Sequence, residues 1–469
     1  MSDALAVGTL VVGGGLAGTV AALRARELGR SVLLVEKGVE SPGAGNSPMS
    51  GGVLHASMQP MTDPSDVVAQ RILDESDGLA RPELAQRYAA TCVRALDWLR
   101  ARGVELVPFE GGREEPFWIV MPRRGFADAH DWQGSGMRVH LAALQDALVR
   151  DGGEVRRETK ALRLLEDGDG AVRGAIVRGP QGTYDVEARQ VVLADGGFQA
   201  NPALVAAHVG RFADQVVLRG ARAATGDALR MGLALGAKAV GLQYFYGHLL
   251  HRQALTDDRL WPAPTLDALL EPGILVDSRG RRFLDEGRGG IAATNDLARS
   301  DEPRGGWIVC SEAAWEAVGR RSTLGLPTPP PNPTLVERGA RIVRGADVET
   351  LAEAASMSTF VLSDTLAEMN EAAEAGGGSG LPIPRTGPLG PIESPLVAIP
   401  VVPGLTFTMG GLLVDADARV LDLDERPIRG LFAAGGTMGG LHGGPRGGYV
   451  GGLSSALVFG LLAAEGAEA

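Results

Sequence analysis

The sequence predicts an α/β fold in which a parallel, doubly wound sheet is built from the two ends of the chain and a second, α+β domain is inserted between them. Three observations carry this. A strand, glycine turn, helix, strand pattern fills residues 7–37; buried strands ending in glycine recur at 189–198 and 428–440; and the stretch 241–395 is proline-rich with a different texture. At ~150 residues per domain, the 469 residues leave room for two or three.

The first unit reads "VGTLVVGGGLAGTVAALRARELGRSVLLVEK". Leu10 to Val12 form a continuous apolar run of the kind a parallel strand buries on both faces, Ala17 to Leu28 carry helical spacing, and Ser31 to Val35 return as a second strand. Helical patterns follow at 83–101 and 138–151, then alternating segments at 155–178 that predict a small sheet, then the strand "RQVVLADGGF". After the proline-rich stretch, in which only "GILVD" reads as a glycine-tipped strand, "GGLLVDADARVLD" and "IRGLFAAGGTMGG" restore the first texture. The expected division is 1–240, 241–395 and 396–469.

Composition is that of a soluble globular protein with an excess of glycine. The net charge of -12 argues against nucleic acid and anionic membranes as partners, because both need clustered Lys and Arg. Cys92 and Cys310 both sit on apolar faces and read as packed free thiols, which fits a reducing, cytoplasmic compartment. The N-terminal stretch shows no basic segment followed by a cleavage site, and no run reaches the ~18 apolar residues of a membrane span. No cluster of metal-ligating spacing stands out.

Gly13, Gly15 and Gly18 form G-x-G-x-x-G between a strand and a helix, and Glu36 closes the next strand. This Rossmann-type fingerprint gives each residue a task. Gly13 permits the tight turn, Gly15 lets a pyrophosphate approach the backbone together with Leu16 and Ala17 at the helix N-terminus, Gly18 lets helix and strand pack closely, and Glu36 accepts from a ribose hydroxyl. Past the acid, "VEKGVESPGAGNSPMSGG" forms a small-residue loop along which an extended cofactor can run, making Lys37, Asn46, Ser47, Ser50, Gly51 and Gly52 candidate contacts. Further glycine-tipped elements add Asp195 and Gly196, Thr225 and Asp227, Gly435 and Gly436, and Gly452 and Leu453. Such wide separation suits a long buried cofactor.

At these motifs the chain resembles the flavoprotein subunits of fumarate reductase and succinate dehydrogenase and their soluble single-chain relatives. "ATGDALRMGLALGA" looks like the family's A-T-G-D-G helix, "GILVDSRGRRFLDEG" like its I-L-V-N-x-x-G-x-R-F-x-x-E stretch, "FTMGGLLVD" like its H-T-M-G-G-L segment, and "GLFAAGGTMGGLHGGPRGG" like its G-L-Y-A-A-G-E-x-x-G-G-x-H-G-x-N-R-L-G-G. The resemblance implies a Rossmann-type FAD-binding domain with an inserted α+β capping domain that closes over a small-molecule substrate at the flavin ring.

By the same resemblance, Arg446 matches the Arg that holds a substrate carboxylate, and His248 matches a His at the entry to the capping domain. Phe407 replaces a second substrate-binding His, with Thr408 beside it, while His442 matches the loop's own His. The family's proton-donating Arg falls at Gly290, with Arg288 the nearby replacement, and the Glu and Arg that supply its protons give way to the apolar "LDALL". Gly436 stands where the family has an acid that contacts the flavin's ribityl chain. Without a proton donor, reduction of an isolated double bond loses its acid step. The expectation is therefore an FAD-dependent dehydrogenase acting on a C–C bond beside a carboxylate or carbonyl, similar to tricarballylate or 3-ketosteroid dehydrogenases. Tyr449 is the candidate proton-transfer or carbonyl-binding group, alongside Arg446, His248 and Arg288. The alternatives are an ene-type reductase and a flavin electron-relay subunit. No C-x-x-C-H or iron–sulfur cysteine set is present, so electrons leave for an unidentified acceptor.

Overall fold

In the computed structural model, which describes residues 5–109, 117–122, 135–321 and 328–466, strand β1 (Leu5–Val12) lies inside an eight-stranded sheet. Helix α1 (Leu16–Glu27) and strand β2 (Val32–Val35) complete the predicted first unit. β1 pairs in parallel with β2 on one side and with Gly182–Leu193 on the other; the latter pairs in parallel with Pro427–Ala433. The alternating segments at 155–178 form a hairpin, Lys160–Glu166 against Val172–Gly179, that extends from Gly182–Leu193.

The register is what matters for function. Val35, Val12, Leu193 and Ala433 lie in line across the sheet, so Glu36, Gly13, Ala194 and Ala434 all emerge at one edge. In a doubly wound sheet that carboxyl edge is where ligands bind.

A second, six-stranded sheet is organised by the 13-residue strand Leu396–Thr408, which pairs with Val217–Leu218, Phe245–His251, Trp307–Ser311 and Val343–Gly345. Its first residues alternate between two cores. Val397, Ile399 and Val401 pack into one apolar cluster with Leu249, Leu266 and Trp315, whereas Leu396 and Ala398 pack into another with Ile274, Leu351 and Leu362. The strands of this sheet come from residues 217 to 408, so it begins before 241 and ends after 395.

Asn46 ties the sheets together. Its amide donates from Nδ2 to the Thr406 carbonyl (2.9 Å) and accepts at Oδ1 from Ala221 N–H (2.6 Å). Both cysteines are free and buried, and burial pushes each thiol up to about 12. No helix among the described residues is long and apolar enough to cross a membrane.

Gly18 shows why the fingerprint is strict, because a Cβ there would lie 1.9 Å from the Gly13 carbonyl oxygen. Gly18→Val is expected to cost about 1–3 kcal/mol and to yield protein with a lowered melting temperature and little bound flavin. A variant purified with wild-type flavin content would show that this close approach is dispensable.

Candidate active site

One long cavity runs along the carboxyl edge of the main sheet and ends under the second sheet. Of the predicted cofactor contacts, it is lined by Gly13, Gly15, Leu16, Ala17, Glu36, Lys37, Asn46, Ser47, Ser50, Gly51, Gly52, Asp195, Gly196, Asp227, Gly435, Gly436, Gly452 and Leu453. Gly18 and Thr225 lie behind the wall. Gly18 serves helix packing, and the Thr225 hydroxyl donates to Asp227 Oδ2 (2.8 Å) and accepts from Lys37 Nζ (3.2 Å).

The far end is charged. Glu36 is buried and accepts from Gly14 N–H and Gly38 N–H, both at 2.7 Å; a carboxylate has about four acceptor positions, so it retains capacity for a hydroxyl. Asp227 is gripped by Lys37 (3.0 Å), Lys160 (2.9 Å) and Arg230 (2.6 Å). Burial opposes its ionisation, but the lysines and Thr225 hold its carboxyl well below the usual carboxylate range. Asp195 is instead pushed up to about 6 by burial, and accepts from Ala228 N–H (3.2 Å). Thr159, Lys160 and Ala161, which the sequence did not single out, also line this end.

The residues fit FAD on several independent features. The N-termini of α1 and of the helix Gly452–Glu465 both reach the cavity wall, offering N–H donors and positive dipole ends to anionic groups. Gly15 leaves open space, because a Cβ there would meet nothing closer than Ser47 Oγ at 3.4 Å. Between the two ends, Gln199 Oε1 is buried at the cavity wall without a hydrogen-bond partner among the described residues, an acceptor suited to a ligand N–H or O–H. Gly436 packs against the Gly197 backbone, its Cβ position 3.2 Å from that nitrogen, which leaves little room for an acidic side chain.

The other end is aromatic. Tyr246 and Tyr449 stack with centroids 3.9 Å apart and an interplanar angle of 19°, and Phe407 and His55 close around them. Tyr246 and His248 share one strand two residues apart, and the Tyr246 hydroxyl meets His248 Nε2 at 2.8 Å. On its other side His248 Nδ1 hydrogen-bonds Asp267, whose second oxygen accepts from Leu249 N–H (2.8 Å). A carboxylate on Nδ1 fixes the tautomer that leaves Nε2 as acceptor. The result is a carboxylate, imidazole, phenol chain aimed into the cavity.

Asp267 corrects the reading of "LDALL" as simply apolar. A Cβ on Gly290, where the family's proton donor falls, would lie 2.4 Å from the Asp267 side chain. An arginine cannot stand there while Asp267 holds His248. The pairing was legible in outline, since Tyr246 sits two residues before His248 and so faces the same side of a strand. The contact with Asp267 required the fold.

The loop 443–451 resolves differently from the match to the family. Gly443 N–H donates to the Gly448 carbonyl (2.9 Å), and Gly448 has φ +54° with its Cβ position 2.3 Å from the Gly443 oxygen, so the loop doubles back tightly. Arg446 is thrown to its exposed tip, where it pairs with Asp77 (3.3 Å) outside the cavity. Tyr449 takes the inward place; Tyr449-Val450-Gly451-Gly452 repeats the R-L-G-G spacing, a signal available in the sequence. Burial, together with Tyr246, raises the Tyr449 pKa strongly, and the hydroxyl accepts from Gly452 N–H (3.1 Å).

Three other candidates also lie outside the cavity lining. Arg288 pairs with Asp296 and donates to the Pro445 carbonyl (3.2 Å). The buried Thr408 hydroxyl accepts from Phe198 N–H (3.1 Å). His442 packs behind Phe407 and Tyr449, accepting from Val450 N–H (3.2 Å) and meeting Ser455 Oγ (3.0 Å), so it braces the loop. Thr406, which was not anticipated, does line the cavity: a bulge opposite Tyr246 and Gly247 turns both Thr406 and Phe407 inward.

Burial pushes the His442 pKa down to about 3, so its ring is neutral in the fold and basic near 6.5 once unfolded. The unfolded chain then binds the extra proton between those values, so this group makes stability rise with pH up to about 6.5, by at most about 1.4 kcal/mol per pH unit. His442→Gln should flatten that part of the pH dependence of the denaturation midpoint; an unchanged slope would show that His442 is protonated in the fold.

Comparisons with known proteins show the family and the fold. The FAD binding domain family matches residues 8–451. A probable fumarate reductase of Shewanella frigidimarina is 28% identical, covering 98% of this chain and 74% of its own. The 4-oxocyclohexanecarboxylate 2-dehydrogenase of Sinomonas cyclohexanicum is 27% identical over 97% of this chain and 91% of its own. Among solved structures, 3-ketosteroid-Δ4-(5α)-dehydrogenase from Rhodococcus jostii RHA1 shares the fold with a TM-score of 0.73 at 21% identity, covering 100% of this chain and 98% of that one. The chain therefore belongs to the FAD binding domain family, within the fumarate reductase and succinate dehydrogenase flavoproteins, and is an FAD-dependent oxidoreductase.

Proposed function

We propose that the protein dehydrogenates a C–C bond adjacent to the carbonyl of a small molecule, with the second sheet and its helices capping the reacting end. The observation that carries this reading is the chain Asp267, His248, Tyr246 beside the stacked Tyr449. FAD, held by the glycine edge, Glu36 and the two helix N-termini, supplies a two-electron acceptor for hydride when bound.

The protein's own part is proton and oxyanion management. Tyr449 is kept protonated by burial, and because its oxygen already accepts from Gly452 N–H its own proton is free to be donated. A substrate carbonyl oxygen placed there gains a hydrogen bond that strengthens as negative charge develops, which acidifies the neighbouring C–H. Burial also raises the Tyr246 pKa, so this phenol is a poor base by itself. His248 Nε2 removes that obstacle: as Tyr246 takes a proton from carbon, it passes its own to the imidazole, and Asp267 stabilises the resulting imidazolium. The aromatic walls exclude water from these atoms. Among the relatives, the dehydrogenase from Sinomonas is named for a ring ketone, which favours this reading over reduction of an isolated double bond.

Anaerobic titration of the flavin with 4-oxocyclohexanecarboxylate, 3-ketosteroids and small polycarboxylates tests the proposal. A carbonyl-bearing compound should bleach the oxidised flavin band; bleaching by none of them would overturn the dehydrogenase reading. Tyr246→Phe and Asp267→Asn should slow bleaching by about 10²-fold or more with FAD retained, whereas Arg446→Ala should stay within about twofold, as a surface residue does. A large loss in Arg446→Ala alone would return the role to that loop tip.

A further inference from the structure

Among the described residues, the aromatic end holds a cation for which the proton chain has no use. Arg219 lines the cavity, and its position is built rather than incidental. The preceding residues, Val217 and Leu218, pair in parallel with Gly404 and Leu405, and Arg219 N–H donates to the Leu405 carbonyl (2.7 Å). Behind it, Ala221 N–H is fixed by Asn46 (2.6 Å), and a Cβ on Gly220 would lie 2.1 Å from the Thr406 oxygen. The guanidinium donates from Nε to the Pro262 carbonyl and from Nη1 to Thr406 Oγ1, both at 2.8 Å, leaving the rest of its five-donor fork uncommitted among the described residues.

Its charge is only partly offset, by the nearby Asp267 carboxylate. Arg219 forms no ion pair among the described residues, although it is close enough for its charge to act on both Tyr246 and Tyr449. The neighbouring carboxylate, Asp267, already serves His248 and Leu249 N–H. Burial lowers the Arg219 pKa, which marks a poorly hydrated guanidinium, yet arginine stays charged in proteins. A desolvated cation of this kind gains most from an anion that arrives with the ligand.

We propose that Arg219 is the anion anchor of the substrate site, and that the substrate is a flat, ring-sized ketone bearing a single carboxylate, bound by Arg219 at one side while Tyr449 holds the carbonyl oxygen. The proposal rests on the dehydrogenase reading above. The number of charges decides the class. Lys37 and Lys160 are committed to Asp227 at the opposite end, and Arg446 and Arg288 pair outside the cavity, so among the described residues Arg219 is the cation left for a carboxylate. A dicarboxylate would leave its second charge among Phe407, Tyr246 and Tyr449, and an uncharged steroid would bring no anion to the open donors of Arg219. The stacked phenols and Phe407 suit a ring's face.

The test uses binding, not turnover. The visible difference spectrum of the oxidised, FAD-loaded protein is titrated with cyclohexanecarboxylate and with neutral cyclohexanone. Wild type should bind the carboxylate at least about 30-fold more tightly than the ketone, the size of one charge-assisted contact. Arg219→Met should abolish that preference and leave cyclohexanone binding unchanged, while Arg219→Lys should keep a weaker preference. Equal binding of both compounds by wild type, or an undiminished preference in Arg219→Met, would overturn the proposal; the wild-type comparison decides even if a variant fails to fold. Carboxylate binding that persists while no compound bleaches the flavin would instead count against the dehydrogenase reading and leave the anchor standing.

Discussion

The structure depends on the register of its parallel sheet. Because Val35, Val12, Leu193 and Ala433 end in line, the backbone groups that follow them gather at one edge instead of scattering over the surface. A strand slipped by one residue would reverse which side chains are buried and would pull its tip away from the others. The glycines belong to this constraint. Gly13 and Gly18 let α1 approach β1 so closely that the helix N-terminus lies at the cavity.

The second sheet inherits its position from that edge. Asn46, part of the loop that follows β2, bonds on one side to the Thr406 carbonyl and on the other to Ala221 N–H, so the cofactor loop and the bulged strand are held by a single amide. The bulge in turn aims Thr406 and Phe407 inward and brings Tyr246 opposite Phe407. Charge is then separated along the cavity. Lysines and carboxylates neutralise one another at the Glu36 end, while the tyrosine end is walled by aromatic rings, with its carboxylate Asp267 bonded to His248. Hydrogen bonds gain strength where apolar rings lower the local dielectric.

The loop 439–452 shows how a sequence match and a spatial match can differ. Arg446 keeps the family's distance from His442, yet the position that meets the cavity, Tyr449, lies three positions further on. The extra length is absorbed by glycines folding back on themselves, which carries Arg446 outward and Tyr449 inward. Gly290 is the complementary case. Its missing side chain looked like the loss of a proton donor, but the space is taken by Asp267, which hydrogen-bonds His248.

The sequence by itself determined the α/β class, the first β1–α1–β2 unit, the later glycine-tipped strands, and nearly every contact proposed for the cofactor. These features are local: period, turn residues and short motifs are written in consecutive positions, and a fingerprint such as Gly13, Gly15, Gly18 and Glu36 needs no distant partner to be recognised. At the aromatic end the sequence named Tyr449, His248 and Phe407, but only the tertiary structure showed how its groups pair. Arg219, Tyr246, Asp267 and Tyr449 come from four separate stretches, and which charges are already paired is a property of space, not of order along the chain. Asp267 among leucines and Arg219 in a loop carry no periodic signal; their roles arise from the backbone pairing that places one against His248 and fixes the other beside Thr406.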